Sequence, residues 1–145
     1  MEKHIVDFIN AQTNLTLATS NNNIPYCANC FYVFLEELEA LVVKSSEETR
    51  HITEAKNNKF IAGTILPDQL KVRKIKGIQF TGQFCVPQND LLKTAKTNYY
   101  LKYPFSLAMN GDLWVILLQE IKMTDNTLGF GKKLFWERSG VDICK

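Results

Sequence analysis

The sequence predicts one α+β domain built around a small closed β-barrel, with helices at the connections. Six or seven short segments are rich in β-branched and aromatic residues or alternate apolar with polar side chains, as strands do. Three other segments have helical composition and stand at the start of the chain or between strands. Gly77 and Gly82 interrupt the longest strand pattern and favour a bulge or bend, so we expect the sheet to curve.

Length and composition fit a single globular domain over residues 1–145. Hydrophobic residues make up 46% of the 145 and charged residues 22%, with no repeat or linker-like tract. A chain of this length buries about two thirds of the surface that its unfolded form exposes. Seventeen basic and fifteen acidic residues leave a formal charge of +2, too small for a broad polyanion-binding face. We therefore expect no nucleic-acid partner.

No apolar run approaches the roughly twenty residues that span a membrane, and the N-terminal segment has the pattern of an amphipathic helix rather than a signal peptide. We therefore expect a cytoplasmic protein without a membrane partner. A cytosolic chain with an adequate core has little need of disulfides, so the cysteines are expected to be free thiols. They are Cys27, Cys30, Cys85 and Cys144.

The first half of the chain predicts a helix followed by three strands. Residues 3 to 12 place Ile5, Phe8 and Ile9 on one helical face. LTLATS and YCANCFYVF predict two strands, and the polar run of residues 20–23 between them predicts a hairpin turn. After the acidic EELE, ALVVK predicts a third strand that is apolar enough to be central in the sheet.

The second half predicts two helices and four more strands. Ser45 and Glu48 form a capping-box pattern before a helix over residues 47 to 57. FIAGTIL predicts a strand that ends at the turn formers Pro67 and Asp68. VRKIKGIQFTGQFCV predicts a long strand, QNDLLKTAKTNYYLKY a helix that stops at the following proline, and DLWVILLQEIKMT another long strand. KKLFWER predicts a last strand, the seventh.

The CxxC pattern in YCANCFYVF raises the question of a metal or redox site. Side chains alternate along a strand, so Cys27 and Cys30 should point to opposite faces, whereas a zinc site needs both sulfurs to converge on one ion. His4 and His51 show no matching ligand spacing. A redox pair needs its cysteines at a helix N-terminus, and this segment is β-branched and aromatic instead. We predict a plain strand and no metal site.

A group of polar and basic residues at the end of the third strand is the strongest candidate for a binding site. Backbone donors at a helix N-terminus, together with hydroxyls and an arginine, suit a phosphate group. The alternative is that the serines only cap the helix and that Arg50 pairs with Glu47 or Glu54 on a solvated face. The candidates are Lys44, Ser45, Ser46, Thr49, Arg50 and His51.

Two other basic motifs have simpler interpretations. TDNTLGFGKK lacks the glycine spacing and the hydroxyl residue of a nucleotide-binding P-loop, and it predicts a hairpin loop. KVRKIK divides its charges between two strand faces, Lys71 and Arg73 against Lys74 and Lys76. It therefore predicts a solvated strand end rather than a nucleic-acid patch.

The ordered motifs resemble the pyridoxamine 5′-phosphate oxidase-like FMN-binding split barrels, and in particular their YhbP-like branch. The resemblance spans nearly the whole chain and is carried by CANCFYVF, the TRH of residues 49–51, the AGT of residues 62–64 and KGIQFTG. The long EIKMTDNTLGFGKK of residues 120–133 is specific to that branch. The resemblance implies a six-stranded antiparallel split β-barrel with peripheral helices. It also implies a homodimer that holds FMN in grooves at the subunit interface.

The resemblance further implies which residues contact the cofactor. The flavin phosphate would be held by a strand end and the next helix, which fall on the candidates already identified, and the second strand would border the flavin. In the wider family the second strand often supplies an arginine to the phosphate, and this chain has Ala28 at that position. A glutamine that the family carries on the long strand is replaced here by Gly77, although Gln79 and Thr81 follow on the same face. The implied cofactor-binding residues are Lys44, Ser45, Thr49, Arg50, His51, Gln79, Thr81, Ala28, Asn29 and Cys30.

Two functions from different classes remain open. The first is a flavin-dependent oxidoreductase in which FMN carries hydride or electrons, with no side chain nominated as catalytic acid or base. The second is a non-catalytic carrier or stress-response protein that binds a flavin, a haem or another flat ligand in the same groove, with His51 or His4 as a ligand. The resemblance does not imply pyridoxamine phosphate oxidation, because the residues that grip that substrate's phosphate have no match here.

Overall fold

The computed structural model describes residues 1–140, and within that range it contains three helices and seven strands. Each predicted helix and strand is present, with shifted ends at two places considered below. The elements are α1 (Lys3–Ala11), β1 (Asn14–Asn21), β2 (Ile24–Leu35), β3 (Ala40–Ser45), α2 (Arg50–Asn57), β4 (Phe60–Ile65), β5 (Lys76–Cys85), α3 (Asn89–Lys102), β6 (Asp112–Asp125) and β7 (Lys133–Glu137).

The strands form one antiparallel sheet that closes into a six-stranded barrel. Its order is β3-β2-β1-β4-β5-β6, and β3 also pairs with β6, which completes the barrel. The seventh strand, β7, extends the sheet from the second half of β6. β2 pairs with β3 only along Tyr32–Leu35, and the first part of β2, Ile24–Phe31, pairs with β1 alone within residues 1–140. The barrel is therefore split beside β2.

Two apolar layers hold these elements together. The larger layer fills the barrel and packs it against α1 and α2, which close the barrel with side chains such as Ile5 and Ile52. The smaller layer lies between the outer face of β2, β3 and β6 and the helix α3, where Tyr99 and Ala95 are buried. β3 and the segments of β2 and β6 that pair with it are consequently buried on both faces, which explains the continuous apolar run of ALVVK.

The predicted hairpin between β1 and β2 is confirmed. The two strands are in antiparallel register from Asn14–Phe31 to Asn21–Ile24. Asn22 and Asn23 have φ angles of 51° and 63°, the left-handed conformation that a two-residue hairpin turn requires.

Two predicted boundaries are wrong. The capping box does not form: α2 begins at Arg50, after Thr49, and Thr49 makes no side-chain cap bond to the helix. The long strand starts only at Lys76, so most of KVRKIK is a loop, because β4 ends at Ile65 and supplies no neighbour beyond that point. The predicted irregularity at Gly82 is present as a register shift between β5 and β6.

The cysteines follow the predicted alternation. Cys27 is exposed and Cys30 is buried, and both are free thiols. Burial raises the pKa of the Cys30 thiol to about 11, which keeps it protonated and unreactive. Cys85 is disulfide-bonded, so the expectation of a free thiol is wrong for that residue, and Cys144 lies outside the described residues. Within residues 1–140 there is no helix of the length and apolarity needed to cross a membrane.

Candidate functional site

The outer face of the sheet carries a groove of about 820 Å³, which we call the outer groove. Strand register aligns outward-facing residues of neighbouring strands into two rows that cross six strands. The first row is Cys27, Ala18, Ala62, Thr81, Glu120 and Glu137, and the second row is Asn29, Thr16, Thr64, Gln79, Lys122 and Phe135.

Small side chains form the floor of the outer groove, and aromatic side chains form one wall. Ala18 and Ala62 are register partners at its centre. Beneath them, a Cβ atom added to Gly63 would lie 2.2 Å from the Phe80 ring, so the core packs directly against the strand at this point. Phe135 is 69% exposed and Trp136, which also lines the groove, is half-buried. A flat floor beside exposed aromatic surface suits a planar, largely apolar ligand.

The polar side chains of the outer groove are mostly unengaged. The Thr16 hydroxyl donates to Asn29 Oδ1 at 3.0 Å. The side chains of Gln79, Thr81 and Lys122 make no hydrogen bond or ion pair with other groups of the described chain. These side chains are free to bond a ligand, and Gln79 and Thr81 lie on the face that the sequence predicted for them.

Beyond its first row the groove continues toward Gln83, where one polar atom lacks a partner. This extension is lined by Ser20, Phe60, Gln83 and Gln119, and it shares Ala62 with the outer groove. The Gln83 Oε1 atom is buried and has no hydrogen-bond partner in the described part of the chain. A buried unpaired acceptor costs about 1 to 3 kcal/mol, so a donor from a ligand would be stabilising here.

At the N-terminus of α2, three predicted phosphate-binding residues lie within hydrogen-bond distance of one another. The Ser45 hydroxyl lies 2.9 Å from His51 Nε2 and 3.2 Å from the Thr49 hydroxyl, which itself donates to the Ser46 carbonyl at 2.8 Å. The backbone of Ser45 is also fixed, because Trp114 Nε1 donates to its carbonyl at 2.9 Å. This cluster, Ser45, Thr49 and His51, is called the α2 cluster below.

Burial lowers the pKa of His51 from its ordinary value of 6.5, although the nearby Glu54 charge opposes the shift. The ring is therefore neutral at physiological pH, and its Nε2 either accepts from or donates to the Ser45 hydroxyl. A neutral His51 adds no charge to the phosphate-binding end.

Arg50 belongs to a separate network on the side facing β1 and β2. Its Nε atom donates to Glu54 at 2.8 Å, and its guanidinium carbon lies 4.2 Å from the centre of the Tyr26 ring. The Thr19 hydroxyl donates to the other Glu54 oxygen at 2.7 Å. Bonds from Thr19 and Arg50 hold the pKa of Glu54 below its ordinary value. The half-exposed guanidinium is thus oriented, with its terminal nitrogens available to an anion.

Lys44 lies apart from the other predicted phosphate contacts. Successive residues of β3 face opposite ways, and Lys44 points toward α3. Its ammonium donates to the carbonyls of Ser106 and Met109 at 2.6 and 2.8 Å, and lies over the Tyr100 ring. Its described contacts fasten the segment after α3 to the barrel.

The remaining predicted residues divide between the two faces of β2. Ala28 and Cys30 face the barrel side and Asn29 the outer side. Within one chain most of the predicted residues therefore form two groups, one at the outer groove and one around α2, whereas Lys44, Ala28 and Cys30 belong to neither. The unpaired edge of β2 lies beside Arg50 through Tyr26. Sequence reasoning missed Ala18 and Ala62, because only the strand register reveals that they line one groove.

Comparisons with known proteins agree with this fold. No family model matches the chain. The chain is 40% identical over 131 residues to a UPF0306 protein from Photorhabdus laumondii, which covers 90% of this chain and 92% of the relative. It is 37% identical over 138 residues to a UPF0306 protein from Serratia proteamaculans, with 95% and 96% covered.

Three solved structures share the fold at low identity. A haem-binding protein from Mycobacterium smegmatis has a TM-score of 0.77 and 16% identity, over 90% of this chain and 55% of that one, so this chain spans about half of its length. An FAD-binding protein from Mesorhizobium loti has a TM-score of 0.65 at 14% identity, covering 83% and 89%. A candidate pyridoxamine 5′-phosphate oxidase from Listeria innocua has a TM-score of 0.64 at 12% identity, covering 83% and 94%. The predicted split-barrel fold is confirmed, whereas the YhbP-like assignment stays a prediction.

Proposed function

This chain belongs to the UPF0306 family, and we propose that it binds a planar cofactor, FMN in the first instance, with its ring against the outer groove and its phosphate at the N-terminus of α2. The observation that carries the proposal is the outer groove itself: a floor of small side chains beside the exposed Phe135 ring and unengaged polar side chains. Fold relatives named for haem or FAD binding support a flat ligand of this kind.

The residues present fit FMN at both ends. The N-terminus of α2 offers backbone donors that Thr49 does not cap, and the Arg50 guanidinium stands beside it with two nitrogens available. In the outer groove, Gln79, Thr81 and the unpaired Gln83 oxygen offer the mixed donors and acceptors that match the edge of an isoalloxazine ring. Bound FMN would supply hydride or electron transfer.

We further propose that the complete site belongs to a homodimer. The predicted contacts of one chain lie in two groups on different faces, and the unpaired edge of β2 separates them. A second copy seated on the outer groove would cover its exposed aromatic side chains and bring the α2 cluster of one protomer toward the groove of the other. Sedimentation velocity at several concentrations tests this, and a monomer throughout would contradict it.

Haem is the second candidate, supported by the similar fold of the mycobacterial haem-binding protein. His51 is neutral, as a haem ligand must be, but its Nε2 atom is engaged with Ser45 at 2.9 Å. A haem would therefore have to displace that bond or use the other ring nitrogen. Under this proposal the protein carries the cofactor without acting as an oxidoreductase.

The visible absorption spectrum of freshly purified protein distinguishes the two candidates. Flavin bands that NADH or NADPH bleaches would support a flavin-dependent oxidoreductase, and a Soret band would support haem. A colourless protein that binds neither FMN nor haem in titrations would contradict both proposals.

Arg50→Ala tests the phosphate assignment. If Arg50 bonds the phosphate, the change should weaken FMN binding by about 1.5 to 3 kcal/mol, roughly 10- to 150-fold, whereas riboflavin, which has no phosphate, should lose much less. The matched control is Lys56→Ala, which removes another cation of the same helix, one that pairs with Glu47. Equal losses for FMN and riboflavin would contradict the assignment.

A further inference from the structure

Two loops form a continuous surface at the end of the sheet where β5 begins and β6 ends. The first loop contains LKVRKI, residues 70–75, and the second runs from Asn126 to Lys132. The Asn126 amide donates to the Ile75 carbonyl at 3.0 Å, and Lys76 and Asp125 pair at 3.0 Å. We call the exposed side chains of these two loops, together with Lys133, the basic–apolar edge.

The apolar side chains of this edge are exposed by more than half. Val72 is 93% exposed, Leu70 74% and Ile75 56%. Phe130 is fully exposed at the tip of the second loop, between Gly129 and Gly131, whose positive φ angles turn the chain there. Large apolar residues projecting together from loop tips indicate a contact surface rather than ordinary scatter.

The cations of the edge are interleaved with these apolar residues and have no acidic partner among residues 1–140. The acidic residues that adjoin the two loops in the sequence are already engaged: Asp68 accepts two bonds from Thr13, and Asp125 pairs with Lys76. No ion pair within residues 1–140 involves the edge cations. These cations are Lys71, Arg73, Lys74, Lys132 and Lys133.

We propose that the basic–apolar edge docks on the surface of an anionic lipid bilayer. Unpaired lysines and arginines are attracted to anionic headgroups, and aliphatic and phenyl side chains at loop tips can enter the boundary between headgroups and acyl chains. A nucleic acid would explain the cations alone, because exposed Leu70, Val72 and Ile75 offer its phosphates nothing. This proposal departs from the expectation of no membrane partner, which rested on the lack of a spanning segment.

Co-sedimentation of the full chain with lipid vesicles tests the proposal. We expect binding to phosphatidylcholine vesicles that contain phosphatidylglycerol, little binding to phosphatidylcholine alone, and weakening as salt rises. Replacing Lys71, Arg73 and Lys74 by Gln should reduce binding roughly 100-fold, from about 1 kcal/mol per cation. Val72→Ser with Phe130→Ser should reduce it about tenfold, and neither residue packs against the core.

Matched controls keep each change specific. Replacing Lys3, Lys93 and Lys96 by Gln alters the net charge equally on other exposed surfaces, and Leu101→Ser changes a residue that is 81% exposed on α3. Both controls should bind vesicles as the unmodified protein does. Equal loss in the charge control, or no binding to anionic vesicles, would overturn the proposal.

Two other outcomes also overturn it. If the charge variant loses binding while the Val72 and Phe130 variant keeps it, the edge is a general polyanion site, and a fluorescent oligonucleotide should then bind with the same dependence on the three cations. If the Val72 and Phe130 variant instead dissociates an oligomer in light scattering and leaves vesicle binding unchanged, a second copy of the chain occupies this edge.

Discussion

The outer groove and the region around α2 are built in opposite ways. In the groove, Gln79, Thr81 and Lys122 bond no other described residue, over a floor whose shape is fixed by close packing. Around α2, the predicted contacts already have partners within the chain, as Ser45 has in His51 and Arg50 has in Glu54. A ligand can therefore add contacts in the groove, whereas at α2 it must extend or exchange bonds that exist.

In the proposed cofactor binding, the groove recognises the shape of the ring and the α2 region recognises the charge of the phosphate. The groove favours a planar ligand by its shape. Hydrogen bonds to such a ligand cost little there, since the polar side chains would exchange only bonds to water for bonds to the ligand. The α2 end is oriented in advance, which lowers the cost of fixing Arg50 when an anion arrives. The two regions should accordingly respond to different substitutions.

The largest expected effect on stability comes from Gly63, beneath the floor of the outer groove. Gly63→Ala should lower the free energy of unfolding by about 1 to 3 kcal/mol, because the new methyl group would lie 2.2 Å from the Phe80 ring and 2.5 Å from the Thr16 carbonyl oxygen. Chemical denaturation measures this. Gly77→Ala is the matched control, since its Cβ would meet the flexible end of Leu66 at 3.2 Å and the Ile65 carbonyl oxygen at 3.6 Å, an ordinary van der Waals distance. Equal destabilisation by both changes would show that close packing at Gly63 is not the cause.

Features set by local sequence were predicted, whereas features set by contacts between distant strands were not. The barrel elements and the opposite faces of Cys27 and Cys30 were predicted, because strand periodicity and turn residues such as Asn22 and Asn23 are local signals. The outer groove was not, since it depends on register between strands distant in sequence, as in the pairing of Ala18 with Ala62.

The errors around α2 and β5 also have physical causes. The Ser45 hydroxyl bonds His51 instead of capping the helix, so α2 begins later than its capping-box pattern indicates. KVRKIK alternates like a strand but extends past its neighbours, because β4 ends at Ile65. Local pattern could not reveal either competing contact.

The next expected effect is a pH dependence at α2. The folded state lowers the pKa of His51 below 6.5, so the unfolded chain binds that proton more readily. The stability that a neutral His51 confers is complete above about pH 6.5 and is lost as pH falls through the lowered pKa. In urea unfolding across this pH range, the free energy of unfolding should fall less steeply with decreasing pH in His51→Gln than in the unmodified protein. The same flattening in His4→Gln would contradict the assignment.

The smallest expected effect returns to the outer groove. Glu120 and Glu137 are direct register partners, and like charges placed opposite each other on a sheet repel. Glu120→Gln should raise the free energy of unfolding by about 0.2 to 1 kcal/mol in low salt, with less gain as salt increases. Thermal unfolding at two salt concentrations checks this. A destabilised Glu120→Gln would mean that the carboxylate is engaged, for example by a second copy of the chain.

One strand, β6, runs from the region near α2 to the outer groove. β6 is paired with β3 near Ser45 at its first residue, Asp112, and with β7 from Glu120 onward, about 26 Å further along. Between these segments the register shift beside Gly82 re-aims the strand. β6 thus joins the strand end beside Ser45 to the outer groove by continuous backbone pairing, so the spacing between these two regions is set by a strand rather than by a loop.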